Sequence, residues 1–455
     1  MQAREVRTAA QARQLVEASG ASHVKIGVFD LDGILRGKYL AREKFFSGLE
    51  KGLGFCDVVL GWDSNDQLYD NVKVTGWHTG YPDAHVRILP ETCRELPFEP
   101  GTYFFLCEFA APADAVCPRG TLRRVIERAR GMGLQAFAGL EYEFFVFEET
   151  PASVREKHYR NLVPIAPGYF GYSVLRNSVH SELYRGLLAL GQQMDFPIEG
   201  LHEETGAGVL EAALCVDAAD AAADKAGLFK TFTKVWCQHH GRMATFMAKW
   251  SRDWPGQSGH IHLSLRSLDG KSVFHDPKEP HAMSVTMRHF LGGQQRMLPE
   301  LLAMIAPTVN SYRRLIPGFW APTVSSWGVE NRTCALRFVP GGPSSQRMEV
   351  RLAAADANPH LALAASLAAG LHGIEHRLEP DAPVSGNAYE QTVSPELAFS
   401  PTLWDAAQRL KQSQMARNWF GDTFVDHFAA TREWEEREFR KAITDWELAR
   451  YFEII

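Results

Sequence analysis

The stretch Gly139-Leu-Glu-Tyr-Glu-Phe-Phe-Val-Phe147 decides how this chain is read. Successive side chains of a strand point to opposite faces, so Glu141 and Glu143 share one face. Phe145 and Phe147 share it too. Two carboxylates on an otherwise apolar strand are costly unless something pairs with them. A solvated edge strand is the plain alternative, and the phenylalanines on the same face weigh against it. The other reading is a pair of metal ligands.

Working outward, two more strands carry polar rows. Ser258-Gly-His-Ile-His-Leu-Ser264 sets His260, His262 and Ser264 opposite Ile261, Leu263 and Leu265. Arg347-Met-Glu-Val-Arg351 aligns Arg347, Glu349 and Arg351 opposite Met348 and Val350. A lone core histidine is the usual plain reading of the first row, and two histidines and a serine on one face weigh against it; the second row alone reads as a surface ladder of ion pairs or as a metal ligand between two anion-binding arginines. His202-Glu-Glu-Thr-Gly-Ala-Gly-Val-Leu-Glu211 flanks a glycine-rich turn with acids, which alone reads as a surface turn as well as a ligand loop. Asn310-Ser-Tyr-Arg-Arg-Leu-Ile-Pro-Gly318, with Arg332 and Arg337, puts arginines in turn-rich text and suggests an anion clamp. For any one arginine, solvent exposure is the default. Together the rows sum to acids, imidazole and guanidinium. Acids with histidine suit Mg²⁺ or Mn²⁺, and arginines beside them suit phosphate. Metal-assisted phosphoryl transfer is the reaction class that follows. There is no G-x-x-x-x-G-K-[ST] and no G-x-G-x-x-G, so a P-loop or Rossmann site is unsupported.

The rest of the chain sets the frame. It has 455 residues, a formal charge of −6, 45% hydrophobic and 22% charged residues. That composition is globular and excludes disordered, collagenous and coiled-coil chains. No basic surplus exists to neutralise phosphates, so nucleic acid and anionic membranes are not expected partners. Seven cysteines without C-x-x-C imply buried free thiols in a reducing cytoplasm. The N-terminal twenty residues read as an amphipathic helix with Val6, Leu15 and Val16 inside, not as a signal peptide. Leu361 to Ile374, bracketed by His360 and His372, is too short to span a membrane and reads as a core helix. Val24, Ile26 and Val28 alternate into an Asp32-Gly33 turn, with Ile34 and Leu35 starting a return strand. Further strand text lies near Val86–Leu89 and Tyr103–Leu106, around a long polar, aromatic segment from Gly61 to Val86. Ala110 to Arg119 reads as a linker and Thr121 as the cap of a helix with Leu122, Val125 and Ile126 inside.

These motifs resemble the glutamine synthetase family from about Val24 to Ile455. They are D-x-x-G-x-x-R-G-K at Asp30, E-x-E-F-F at Glu141, G-H-I-H-x-S at Gly259, N-S-Y-R-R-L-I-P-G at Asn310 and R-x-E-V-R at Arg347. The ending DWELARYFEII is similar to the branch that joins glutamate to amines other than ammonia. The resemblance implies an α+β fold, with an N-terminal β-grasp domain over residues 1–115 and a catalytic domain over 116–455. It implies a funnel closed by the neighbouring subunit in stacked hexameric rings. It also implies one metal on Glu143, Glu204 and Glu211 and a second on Glu141, His260 and Glu349, with Glu203 as the alternative to Glu204. ATP contacts correspond to His262, Ser264, Arg337 and Arg347. Glutamate contacts correspond to Gly256, Arg314 and Arg351, and Arg332 faces the transferred phosphoryl group. Asp63 corresponds to the acid that reaches in from the neighbour.

The departures are specific. The family's R-L-x-P-G motif is followed by x-E-A-P, whose acid handles ammonium; here Trp320 stands in its place. Pro255 replaces a substrate-contacting asparagine, and Gly208-Val209 replaces G-Q. The expected activity is therefore ATP-dependent formation of a γ-glutamyl amide through γ-glutamyl phosphate. The alternatives are an ordinary glutamine synthetase and an inactive family member with a structural or regulatory role.

Overall fold

The structure is a computed structural model that describes residues 1–391 and 394–455. Its first sheet is built from β1 (His23–Phe29), β2 (Leu35–Ala41), β3 (Leu53–Cys56), β4 (Asp83–Ile88), β5 (Arg94–Glu95) and β6 (Tyr103–Phe109). The spatial order is β2-β1-β6-β4-β3, with β5 beside β6. β1 and β6 run parallel, and the other pairs are antiparallel. Val24, Ile26 and Val28 are buried, as their alternation requires. The hairpin pairs Phe29 with Leu35, so the return strand begins at Leu35, one residue later than expected. Ile34 stays in the turn because its amide is held by Asp30 Oδ1 at 2.8 Å. Gly33 takes φ +77° there, a conformation that costs glycine nothing.

Near the N-terminus the helix runs Ala9–Ser19, capped by Thr8. Leu15 and Val16 are inside it, whereas Val6 precedes it and is buried after a short 3₁₀ turn. The segment from Ala110 to Arg119 is no open linker. It contains a 3₁₀ turn at Ala113–Ala115, and helix Pro118–Gly131 begins inside it. Cys117 occupies the N-cap and Pro118 the first turn, where a missing N–H costs nothing. Thr121 is therefore a buried residue of that helix, not its cap; Leu122, Val125 and Ile126 face inward as expected.

The second sheet has nine strands: β7 (Leu134–Phe147), β8 (Ile198–Glu203), β9 (Val209–Leu214), β10 (Asp217–Ala218), β11 (Met243–Thr245), β12 (Gly259–Ser267), β13 (Trp327–Val329), β14 (Leu336–Val339) and β15 (Arg347–Val350). Its main path is β13-β14-β15-β12-β7-β9-β8, antiparallel except for β13–β14. Helices Pro118–Gly131, Ala219–His239, Val285–Ile305 and Pro359–His376 contribute to one continuous core with this sheet. The Leu361–Ile374 stretch lies within the last of these, and its apolar side chains are almost all buried. The architecture is α+β. No described helix is long and apolar enough to cross a membrane. All seven cysteines are free thiols; five are buried, and Cys56 and Cys215 are partly exposed.

Candidate active site

Strand register assembles the site. His260 on β12 lies opposite Glu141 on β7, and Glu143 opposite Glu211 on β9. Glu211 in turn faces His202 on β8. On the other side His262 faces Glu349 on β15, and Glu349 faces Arg337 on β14. Period-two alternation thus becomes a row of charged groups across six strands. The row lines a cavity of about 970 Å³.

Fifteen of the sixteen residues expected at the site line that cavity: Glu141, Glu143, Glu204, Glu211, His260, His262, Ser264, Gly256, Arg314, Trp320, Arg332, Arg337, Arg347, Glu349 and Arg351. Asp63 does not. Its carboxylate is buried in its own loop, accepting from the amides of Asn65 and Gln67 at 2.8 and 2.9 Å and from Trp434 Nε1 at 3.2 Å. Between Glu203 and Glu204, the geometry separates the two. Glu204 faces the cavity, while Glu203 is buried away from it, with burial raising its carboxyl.

The acids converge. His260 Nδ1 lies 3.5 Å from Glu141 Oε2 and 3.6 Å from Glu349 Oε1. His202 Nε2 lies 3.4 Å from Glu204 Oε1 and 3.5 Å from Glu211 Oε1. Burial and the charges of Glu141, Glu143 and Glu204 push the Glu211 carboxyl far up. Among the described residues, Glu141, Glu143, Glu204 and Glu211 pair with no arginine or lysine and have only imidazoles close by, so this side of the cavity lacks counter-charge. The donor set of carboxylate oxygens and imidazole nitrogen is one that Mg²⁺ or Mn²⁺ takes, and a divalent cation would supply the missing charge.

The arginines fix the other wall. Arg337 donates to Glu349 Oε2 at 2.8 Å, and Arg351 holds the second oxygen. Burial raises the Glu349 carboxyl, but His260, Arg351, His262 and Arg337 outweigh it and hold it down to about 2. Arg347 Nε donates to His262 Nδ1 at 3.1 Å. A guanidinium only donates, so the His262 proton sits on Nε2, facing Glu141 Oε2 at 3.3 Å. His262 is thereby a donor into the cavity, and His260 is the imidazole free to ligate. Arg314 is buried and donates to the carbonyls of Leu352 and Arg351 at 3.0 and 3.1 Å. Burial lowers it to about 10, with Glu143 opposing and Arg351 assisting, so it stays charged at neutral pH. A Cβ at Gly256 would sit 2.6 Å from Arg314 Cγ, so this glycine is what lets Arg314 in.

At the mouth the surface turns aromatic. Trp320 has φ +56° and is 58% exposed; Phe319 is 46% exposed and lies 5.1 Å from Lys249 Nζ. Tyr172 stacks on His202 with centroids 4.3 Å apart and planes 10° apart. Tyr172, Phe319 and His202 line the cavity and were not among the expected site residues. His202 carried a readable signal, because it shares a strand face with Glu204 and sits in the same acidic motif. Tyr172 and Phe319 come from irregular segments without periodicity.

A family model described as glutamine synthetase, catalytic domain, matches residues 115–451. The chain is 44% identical over 446 residues to type-1 glutamine synthetase 2 of Dictyostelium discoideum, covering 97% of this chain and 85% of that one. It is 36% identical over 452 residues to glutamate–isopropylamine ligase of a Pseudomonas species, covering 97% of both. A solved structure of a GmaS/ADP complex superposes with a TM-score of 0.84 at 25% identity, over 97% of this chain and 99% of that one. The chain belongs to the glutamine synthetase family. Within it, the chain is a carbon–nitrogen ligase.

Proposed function

We propose that the protein joins the γ-carboxylate of L-glutamate to an organic amine, using ATP and passing through γ-glutamyl phosphate. The carrying observation is Trp320, exposed among the acids and arginines that line the cavity. The similarity to a glutamate–isopropylamine ligase supports the same reading.

In this reading Glu143, Glu204 and Glu211 hold one divalent cation, and Glu141, His260 and Glu349 hold a second. Bound Mg²⁺ or Mn²⁺ neutralises the charge that builds on the transferring phosphoryl group. His262, Ser264, Arg337 and Arg347 take the nucleotide. Gly256, Arg314 and Arg351 take glutamate: Arg314 and Arg351 pair with carboxylate, and Gly256 keeps Arg314 in place. Arg332 faces the phosphoryl group as the glutamate γ-carboxylate oxygen attacks it and ADP leaves. The amine nitrogen then attacks the acyl carbon and phosphate departs. Trp320 offers an aromatic face to the amine's carbon skeleton or to an ammonium head. An indole is only a donor, so it cannot take the amine's proton.

The remaining expectations complete the proposal. The domain boundary falls near residue 115, and the enzyme works in the cytoplasm as a homo-oligomer of stacked hexameric rings. The Asp63 loop closes the site of the neighbouring subunit. Trp446, Phe452, Ile454 and Ile455 are largely exposed near the C-terminus, an apolar surface that suits association with another copy. A second reading, ammonia as the nitrogen donor, is favoured by the similarity to the Dictyostelium glutamine synthetase. Phosphate release measured with glutamate, ATP and either ammonium or a panel of amines separates the two.

A further inference from the structure

Among the described residues, one cluster of ligand-type side chains lies outside the cavity. It sits on the last turns of helix Pro359–His376, where His372-Gly-Ile-Glu375-His376 places two imidazoles and a carboxylate on one side. Residues four apart stack one above the other on a helix, so His372 and His376 are neighbours. Their ring centroids are 4.2 Å apart. One ligand atom from each of His372, Glu375 and His376 lies within 4.8 Å of the others. None of the three lines the cavity.

We propose that His372, Glu375 and His376 form a second, peripheral metal site for a borderline divalent cation such as Zn²⁺. Two imidazoles and one carboxylate match the donors that Zn²⁺ prefers, and three protein ligands leave the fourth position open to water. The set is poorer in oxygen than the cavity, so Mg²⁺ and Mn²⁺ are disfavoured here.

Two contacts oppose the cation and set the shape of the test. Arg128 donates to Glu375 Oε2 at 2.6 Å, so the carboxylate is shared between a guanidinium and the ion. Trp419 Nε1 donates to His372 Nδ1 at 3.3 Å. A neutral imidazole has one lone pair, so the indole N–H and the cation compete for it. Binding at His372 therefore displaces the Trp419 contact.

The experiment is equilibrium dialysis of the full-length protein against Zn²⁺ alone, with bound metal measured by elemental analysis. Cavity metals count equally in every variant, so the comparison isolates the peripheral site. The wild type is expected to bind one Zn²⁺ per chain more than His372→Ala/His376→Ala. Glu375→Gln should lose less than either single histidine variant, because Arg128 already shares the carboxylate. Zn²⁺ should also change tryptophan emission more in the wild type than in Trp419→Phe. The double variant should keep wild-type phosphate release with Mg²⁺, which shows that it has folded. Equal Zn²⁺ content in wild type and double variant, whether high or nil, overturns the proposal.

Discussion

Glu349 ties the two walls of the site together, because Arg337, Arg351, His260 and His262 all bear on it. Glu349→Ala is expected to reduce phosphate release by at least about a hundredfold, the scale of losing a preorganised charge in a closed site. It also strands two guanidiniums, so some stability should go as well. Glu349→Gln keeps hydrogen-bonding capacity and should stay folded while remaining as inactive. Turnover near wild type in either variant would remove the metal assignment. In the proposed reading, substrate choice rests on Trp320. Its positive φ is unfavourable for tryptophan already and is no worse for an unbranched glutamate, so Trp320→Glu changes the side chain without adding a backbone penalty. The ratio of kcat/KM for ammonium to that for an amine should rise in this variant; an unchanged ratio would take Trp320 out of the amine pocket. In the proposed reading no acid at that position takes the amine's proton, so the enzyme would draw on the free base. kcat/KM for an alkylamine should therefore climb about tenfold per pH unit below the amine's own pKa. A flat profile would point to a proton acceptor at the mouth.

At the scale of elements, the site is a matter of register. Glu141, His260, Glu349, Arg347 and Arg351 were legible because side chains alternate along a strand, and alternation needs no tertiary information. What alternation does not contain is which strands are neighbours. The pairings His260 with Glu141 and Glu143 with Glu211 arise only from the order β15-β12-β7-β9. Tyr172 and Phe319 were illegible for a different reason, since irregular backbone carries no period. Thr121 misled because a hydroxyl ahead of an apolar run looks like a cap. Pro118 had already set the start of that helix three residues earlier. The join between the N-terminal segment and helix Asp422–Phe439 offers a test of stability. His427 Nε2 donates to the Leu60 carbonyl at 2.9 Å. Burial lowers His427 to about 4, against that hydrogen bond and with the help of the Arg432 charge. The unfolded chain therefore takes up this proton first as pH falls from 6.5. Stability from this group is complete above that value and declines towards pH 4, by about 3 kcal/mol. Urea midpoints should fall between near-neutral and mildly acidic buffer, and fall less in His427→Gln. An equal fall in both proteins would show that His427 is not buried neutral.

At the scale of the whole molecule, the single chain brings together fifteen of the expected residues and leaves Asp63 in its own loop. In the proposed oligomer that loop serves a neighbour. Mixing inactive Glu349→Ala chains with chains impaired at Asp63, followed by subunit exchange, should then recover activity that neither parent has. No recovery, with exchange verified, would mean that each site is complete within its own chain. The exposed apolar residues near the C-terminus belong to the same argument. Trp446→Ser with Phe452→Ser should lower the sedimenting mass if they join copies. The central claim concerns chemistry, and one measurement addresses it most directly: phosphate release by the wild type with glutamate, ATP and Mg²⁺ or Mn²⁺, across ammonium and a panel of alkyl, hydroxyalkyl and polyamines. At least one organic amine should drive release well beyond ammonium, with the matching γ-glutamyl amide as product. Sustained release with ammonium and no response to any organic amine would contradict the account.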